Sequence, residues 1–449
     1  MRLSTKSFIT VTALGALVAC KPKLKEPSPD KGSLDVSRYV SIGNSITSGY
    51  ADGALYYDGQ KVSYAALIAE QFKTIGGGDF KIPYVPQSSA GVALGGGFPP
   101  AVTARFSLQY ATDCLGATSL MPVALSPTEN FSFFGNNIYA SQGPFNNMGV
   151  PGARSFHVAY KGFGNFFNAS TGNYNPFYQR MASNVTSSSI LGDAEAQNPT
   201  FFSVFIGNND VLGYALSGGA SDSITSYNHF CASIDTIIEH LTKNGAKGVI
   251  GNIPDVTTIP HFTTIPYNGL TLTQAQADQL NATTSGIFGF HAGPNAFIIE
   301  DASAPVGARP MKADELLLLE LPLDSVKCHY MGALTPIPNR YVLTENEIAA
   351  IRSATNAFNG KIYLTAKAKG LAFVDVNRFM QNAKAGIVYN GVTVNAEFVK
   401  GGAFSLDGIH LNPLGNAMLA NEFIKAINLE FGSTIPWVDV TKYRGTIFP

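Results

Sequence analysis

The sequence predicts an α/β fold, a parallel sheet covered by helices on both faces, and three features predict it. Short apolar runs rich in β-branched and aromatic residues recur along the 449 residues, several closed by a glycine. Between them lie segments whose apolar residues repeat at helical spacing. Strand and helix alternate to the end of the chain, as expected for parallel strands joined by helical crossovers.

The elements follow in order. Arg38-Tyr39-Val40-Ser41-Ile42 is the first expected strand, closed by Gly43. Residues 63–72 are expected to be helical, with Tyr64, Leu67, Ile68 and Phe72 along one side. A second strand is expected over residues 145–149. The apolar run from Phe201 to Ile206 stops at Gly207 and gives a third strand. Residues 221–244 read as an amphipathic helix, because Ile224, Tyr227, Cys231, Ile234, Ile238 and Leu241 recur at helical spacing and Asn244-Gly245 supplies a stop. A fourth strand follows over 248–253. A helix over 343–369 opens with Thr344-Glu345-Asn346-Glu347, the pattern of a capping box. The last strand is expected over 371–375, before a closing helix over 414–431 that turns Leu414, Met418, Ile424, Ile427 and Phe431 inward.

Two stretches break the alternation, residues 50–144 and 254–338. Both are rich in turn-forming residues, and loops of that length usually have structure or function of their own. They are read as insertions covering the carboxyl edge of the sheet, with decorative surface as the alternative. Within the second, Glu315 to Leu321 carries five leucines. It reads as a buried strand, with the lining of an acyl-chain pocket as the other reading.

The composition excludes some partners. The formal net charge is −1, whereas a nucleic-acid partner calls for a basic surface. The start of the chain has Arg2 and Lys6, an apolar run from Phe8 to Ala19, and then Cys20. This is a signal-peptide pattern, and Leu17-Val18-Ala19-Cys20 resembles a bacterial lipobox. The expectation is a signal peptide over 1–19, a lipidated Cys20, a Pro- and Lys-rich tether over 20–36 and one folded domain over 37–449. Such a protein would sit in the bacterial cell envelope, lipid-anchored to the outer membrane and outside the cytoplasm. Without Cys20 the remaining cysteines are Cys114, Cys231 and Cys328. None forms a C-x-x-C pair, so a metal or redox site is not expected. One disulfide among the three is possible, and the sequence does not choose it.

Four polar turns carry the chemistry. Asp407 lies three residues before His410, and among the seven histidines only His410 has an acidic residue at that spacing. A carboxylate there can fix the imidazole tautomer and stabilise the imidazolium that forms when the ring takes a proton. Gly43-Asn44-Ser45 directly follows the first strand, where a serine can project beyond the carboxyl edge of the sheet. A helix N-cap serine is the alternative there. No G-x-S-x-G occurs, so the nucleophile elbow of another hydrolase class is missing. Asn147-x-Gly149-x-x-Gly152 and Gly207-x-Asn209-Asp210 follow the second and third strands. They offer the Gly152 N–H and the Asn209 amide as donors for an oxyanion. Loops after parallel strands emerge on one edge, so these groups are expected to converge.

In these four blocks the chain resembles the SGNH/GDSL hydrolase family. The resemblance implies a flavodoxin-like three-layer α/β/α sandwich with a mostly parallel five-stranded sheet. It implies Ser45 as nucleophile, His410 as base and Asp407 as its partner. Ser45 N–H, Gly152 N–H and the Asn209 amide would form the oxyanion hole, with Asn44 and Asp210 in support and no cofactor. The reaction implied is hydrolysis of a small-molecule, lipid or O-acetylated glycan ester. Asn44 departs from the family, which usually has Asp there; the amide keeps an acceptor and loses a charge. That departure, and aromatics such as Phe163, Phe166 and Phe167, motivate the alternative of an inactive glycan- or lipid-binding lipoprotein.

Overall fold

The protein is described from a computed structural model over residues 28–95, 100–389 and 391–449. The expected signal segment and Cys20 lie outside the described residues.

Five short strands build the central sheet: β1 (Tyr39–Gly43), β2 (Asn147–Gly149), β3 (Phe201–Phe205), β4 (Lys247–Gly251) and β5 (Ala372–Val374). Their spatial order is β2-β1-β3-β4-β5, and every pairing is parallel. This is the flavodoxin-like order, with its switch point between β1 and its neighbours. The strands are mostly apolar because both faces of the sheet are covered; all five residues of β1 and of β3 are buried.

Four long helices cover the two faces. α1 (Tyr64–Phe72) packs with α4 (Pro413–Phe431), and α2 (Tyr227–Thr242) packs with α3 (Glu345–Lys369). Three of the four starts are set by a local side-chain hydrogen bond. Ser63 Oγ accepts from Ala66 N–H, Asn412 Oδ1 accepts from Gly415 N–H, and the Glu347 carboxylate accepts from Thr344 N–H at 2.7 Å. Phe230 of α2 stacks on Phe358 of α3 with ring centroids 4.0 Å apart.

Three boundaries and one buried face differ from the sequence reading. Helix α2 begins at Tyr227, not at 221, because the preceding segment is held elsewhere: Asp222 pairs with Arg154, and Thr225 N–H donates to the Asp210 carbonyl. Its buried stripe is also rotated. Phe230, Ile234, Ile237, Ile238 and Leu241 are buried, whereas Tyr227 is exposed and Cys231 half-buried. The folded body starts before residue 37, since Leu34 and Val36 are buried in the main core and Ser33 N–H donates to the Phe431 carbonyl. The expected strand in the leucine run is only Leu316–Leu317, paired with Val342–Leu343.

Parts of the two insertions form hydrophobic clusters of their own, whereas α1 and Ile138 from the first stretch and Ile259, Phe262 and Leu318 from the second pack in the main core. The first includes a hairpin of Phe106–Thr112 and Thr118–Ala124. The second includes the helix Leu323–His329. Cys114 at the hairpin tip and Cys328 of that helix form a disulfide, leaving Cys231 free.

Phe358 is 1% exposed, and its ring ties two helices on one face. Phe358→Ala is expected to lower stability by about 3–5 kcal/mol, the usual cost of emptying such a site, measured as a shift in urea unfolding.

Candidate active site

Ser45 is placed by the end of β1. The chain leaves the strand at Gly43, where an added Cβ would meet Thr47 Oγ1 at 2.0 Å and the Phe205 carbonyl oxygen at 2.6 Å. Only glycine fits so close an approach. The cap of the short helix Ser45–Ser48 is Asn44, whose Oδ1 accepts from Ile46 N–H at 3.1 Å. The N-cap alternative for Ser45 therefore fails, and the serine hydroxyl is left for other work.

That hydroxyl meets the imidazole from the far end of the chain. Ser45 Oγ lies 2.8 Å from His410 Nε2, and His410 Nδ1 lies 2.8 Å from Asp407 Oδ2. With Nδ1 protonated toward the carboxylate, Nε2 is free to accept the serine proton. Asp407 is itself held from several sides. Oδ1 accepts from Ile409 N–H, His410 N–H and the Ser405 hydroxyl, and Oδ2 also accepts from Gly53 N–H. Burial pushes its pKa up, but the charge and hydrogen bonds of His410, with the backbone donors, outweigh that and hold it far below the usual carboxylate range.

The second and third blocks meet beside this chain of bonds. Gly152 sits at φ 79°, in the left-handed region that glycine enters without strain. Asn209 Nδ2 donates to the Ala153 carbonyl at 2.9 Å, so one amide hydrogen is used for aim and the other remains. Asp210 accepts from Ser155 N–H at 2.8 Å and Ser155 Oγ at 2.6 Å, binding the third block to the glycine turn. Ser45, Gly152, Asn209, Asp407 and His410 all line one cavity of about 1170 Å³. A smaller chamber of about 40 Å³ lies on another side of Ser45 and His410, walled by Leu212, Val256 and Met380 among others.

Sequence reasoning missed the residues that brace the Asp407 loop. Asp52 Oδ1 accepts from Leu406 N–H, and Asp52 N–H donates to Ser405 Oγ. The Tyr50 ring lies 4.8 Å from that of His410, and its hydroxyl donates to the Gly53 carbonyl. His261 ties in the second insertion: its N–H donates to the Gly408 carbonyl and its carbonyl accepts from Leu319 N–H. Asp52-Gly53 is a turn signal, but nothing in it names a partner some 350 positions away. Of the aromatics, Phe163 is buried and stacked on His157, and Phe167 is exposed. Among the described residues no group of three or more His, Cys, Asp or Glu side chains is set to hold a metal ion.

The GDSL-like Lipase/Acylhydrolase family model matches residues 39–423, a span that contains all four blocks and the whole sheet. The chain belongs to this family. This acylhydrolase is a carboxylic ester hydrolase. No curated protein matches it. Similar solved structures include an alpha/beta hydrolase enzyme from the metagenome of Lake Arreo, Spain, at 12% identity, with 88% of this chain and 96% of that one covered and a TM-score of 0.34. Another is a mutant acetyl-xylooligosaccharide esterase from Geobacillus stearmophilus, at 10% identity, 88% and 96% coverage and a TM-score of 0.33. A third is an extracellular lipase from Streptomyces rimosus, at 12% identity, 87% and 98% coverage and a TM-score of 0.33.

His157 gives the acylhydrolase a pH-sensitive support. Its Nδ1 accepts from Arg154 N–H at 3.1 Å, just beyond the glycine turn. Burial, then the nearby charges of Arg154 and His229, lower its pKa from 6.5 to about 4. The unfolded chain thus takes up this proton at higher pH than the folded one. Stability from the neutral ring is full above pH 6.5 and is lost as pH falls from 6.5 to about 4. His261, also lowered to about 4 by burial, adds to the same acid slope. His157→Asn keeps an acceptor and removes one titration, so its melting temperature should fall less steeply than that of the parent across this window in a thermal scan.

Proposed function

We propose that the acylhydrolase works through an acyl-enzyme on Ser45. His410 takes the Ser45 proton as the oxygen attacks the ester carbonyl, and Asp407 holds the ring and stabilises the imidazolium. The Ser45 N–H, the Gly152 N–H and the free Asn209 amide hydrogen stabilise the developing oxyanion. The imidazolium then gives its proton to the departing alcohol. Water, deprotonated by His410, attacks the acyl-enzyme and releases the acid, and Ser45 recovers its proton. Each step uses protein groups and water.

The observation that carries this reading is the unbroken hydrogen-bond chain from Asp407 through His410 to the Ser45 hydroxyl, both links at 2.8 Å. It also favours a working enzyme over an inactive binding protein. Asn44 does not weaken it, since an amide carbonyl suffices to accept from Ile46 N–H. The substrate is an ester of a lipid or an O-acetylated glycan. With a lipidated Cys20 as anchor, the protein would meet such esters at the surface of the bacterial outer membrane.

Ser45→Ala should abolish turnover of a nitrophenyl ester. Asn209→Ala should lower kcat by roughly a hundredfold to a thousandfold, the usual effect of losing one oxyanion donor. Steady-state kinetics on the purified protein decides both; full turnover by Ser45→Ala would end the proposal.

A further inference from the structure

We propose that the large cavity is an acyl-chain site made jointly by the two insertions, and that the Cys114–Cys328 disulfide is the clasp that holds its walls together. The inference rests on the reading of Ser45 as nucleophile and adds the substrate class, esters of medium and long apolar acids.

The cavity begins at Ser45, Gly152 and Asn209, so a carbonyl held there has its substituents at the entrance to about 1170 Å³ of space. The chamber on the other side of the serine, at about 40 Å³, has room for little more than a water or two. Of these two spaces at the serine, the larger is the one that takes a chain of several methylenes. Phe106, Leu120 and Met121 of the first insertion and Ile265, Leu319 and Leu323 of the second form apolar stretches of the wall. An acetyl group would leave most of this surface to water, whereas an alkyl chain removes both itself and the wall from water. Of the charged side chains at the cavity apart from Asp407, Lys327 is committed to Asp113 at 2.7 Å and Glu320 sits on the second insertion.

The hairpin wall has little apolar packing to hold it against the other. The second insertion reaches the main core through Ile259, Phe262 and Leu318, but residues 106–124 of the hairpin give no member to any of the hydrophobic clusters. The hairpin that carries Leu120 and Met121 is two-stranded, with Tyr110 70% exposed on it, and an isolated two-stranded hairpin is marginal in water. At its tip the Cys114–Cys328 bond and the Asp113–Lys327 pair lie together, and both end on Leu323–His329, the helix whose Leu323 and Lys327 line the cavity. The covalent bond joins positions 214 residues apart, from one insertion to the other.

The test is a series of nitrophenyl esters from acetate to dodecanoate, with the alcohol constant and the acyl chain varied. For the oxidised parent, kcat/KM for octanoate should exceed that for acetate by at least about tenfold, below the ceiling of about fourfold for each buried methylene. In the double variant Cys114→Ser, Cys328→Ser the octanoate-to-acetate ratio should fall toward one. Met121→Asp, with the disulfide intact, puts a charge on the wall and should depress the same ratio, which keeps the test decisive if the double variant does not fold. A flat or acetate-favouring profile in the parent overturns the acyl site. A ratio unchanged in a folded double variant overturns the clasp. Turnover retained by Ser45→Ala would instead strike the nucleophile reading, and the parent's chain-length profile is measured independently of it.

Discussion

The site depends on one buried carboxylate. Asp407 gathers five donors: the backbone N–H groups of Gly53, Ile409 and His410, the Ser405 hydroxyl and the His410 ring. A buried charge is tolerated only when it is met in this way. Those same bonds shape the loop. Two of them close the turn on itself, so that His410 cannot swing without breaking them. The donor from Gly53 fastens the loop to the segment that follows Ser45. The carboxylate that sets the tautomer of His410 thus also sets its distance from the nucleophile.

The sheet supplies the other half of the geometry. Because every neighbour of β1 is parallel to it, the turns after β1, β2 and β3 emerge together, and each carries one functional group. The close contact of Gly43 with Thr47 and Phe205 turns the chain sharply enough to bring Ser45 back over the sheet edge. The bonds from Asp210 to Ser155 and from Asn209 to Ala153 then fix the third turn to the second. Hydrogen bonds between loops hold the donors still, so little reorganisation is needed when charge develops at the carbonyl.

The central architecture and the four blocks were legible because local chemistry states them. Apolar runs ended by Gly43 and Gly207 read as buried strands, and Asp407 three residues before His410 is a local spacing. The family resemblance gave roles to Gly152 and Asn209 that their turns alone do not specify. What depended on distant partners was not legible. The start of α2 moved to Tyr227 because Arg154 draws Asp222 away from helical use. Its buried stripe centred on Phe230 because α3 presents Phe358 there. The choice of Cys328 as partner of Cys114, and the bracing of the Asp407 loop by Asp52 and Tyr50, follow from how the insertions fold over the edge.

The insertions make the difference between a bare catalytic edge and a cavity. They bring apolar walls to a serine that would otherwise face water, and His261 hydrogen-bonds the second of them to the catalytic loop at Gly408. The central claim remains that Ser45 is made nucleophilic by His410 and Asp407. Its most direct measurement is labelling of the protein with a fluorophosphonate, followed by peptide mass mapping. The account predicts a single stoichiometric adduct on Ser45, formed orders of magnitude more slowly when Asp407 is replaced by Asn. Rapid inactivation with the adduct on another residue, or none on Ser45 in an enzyme that turns over esters, would contradict it.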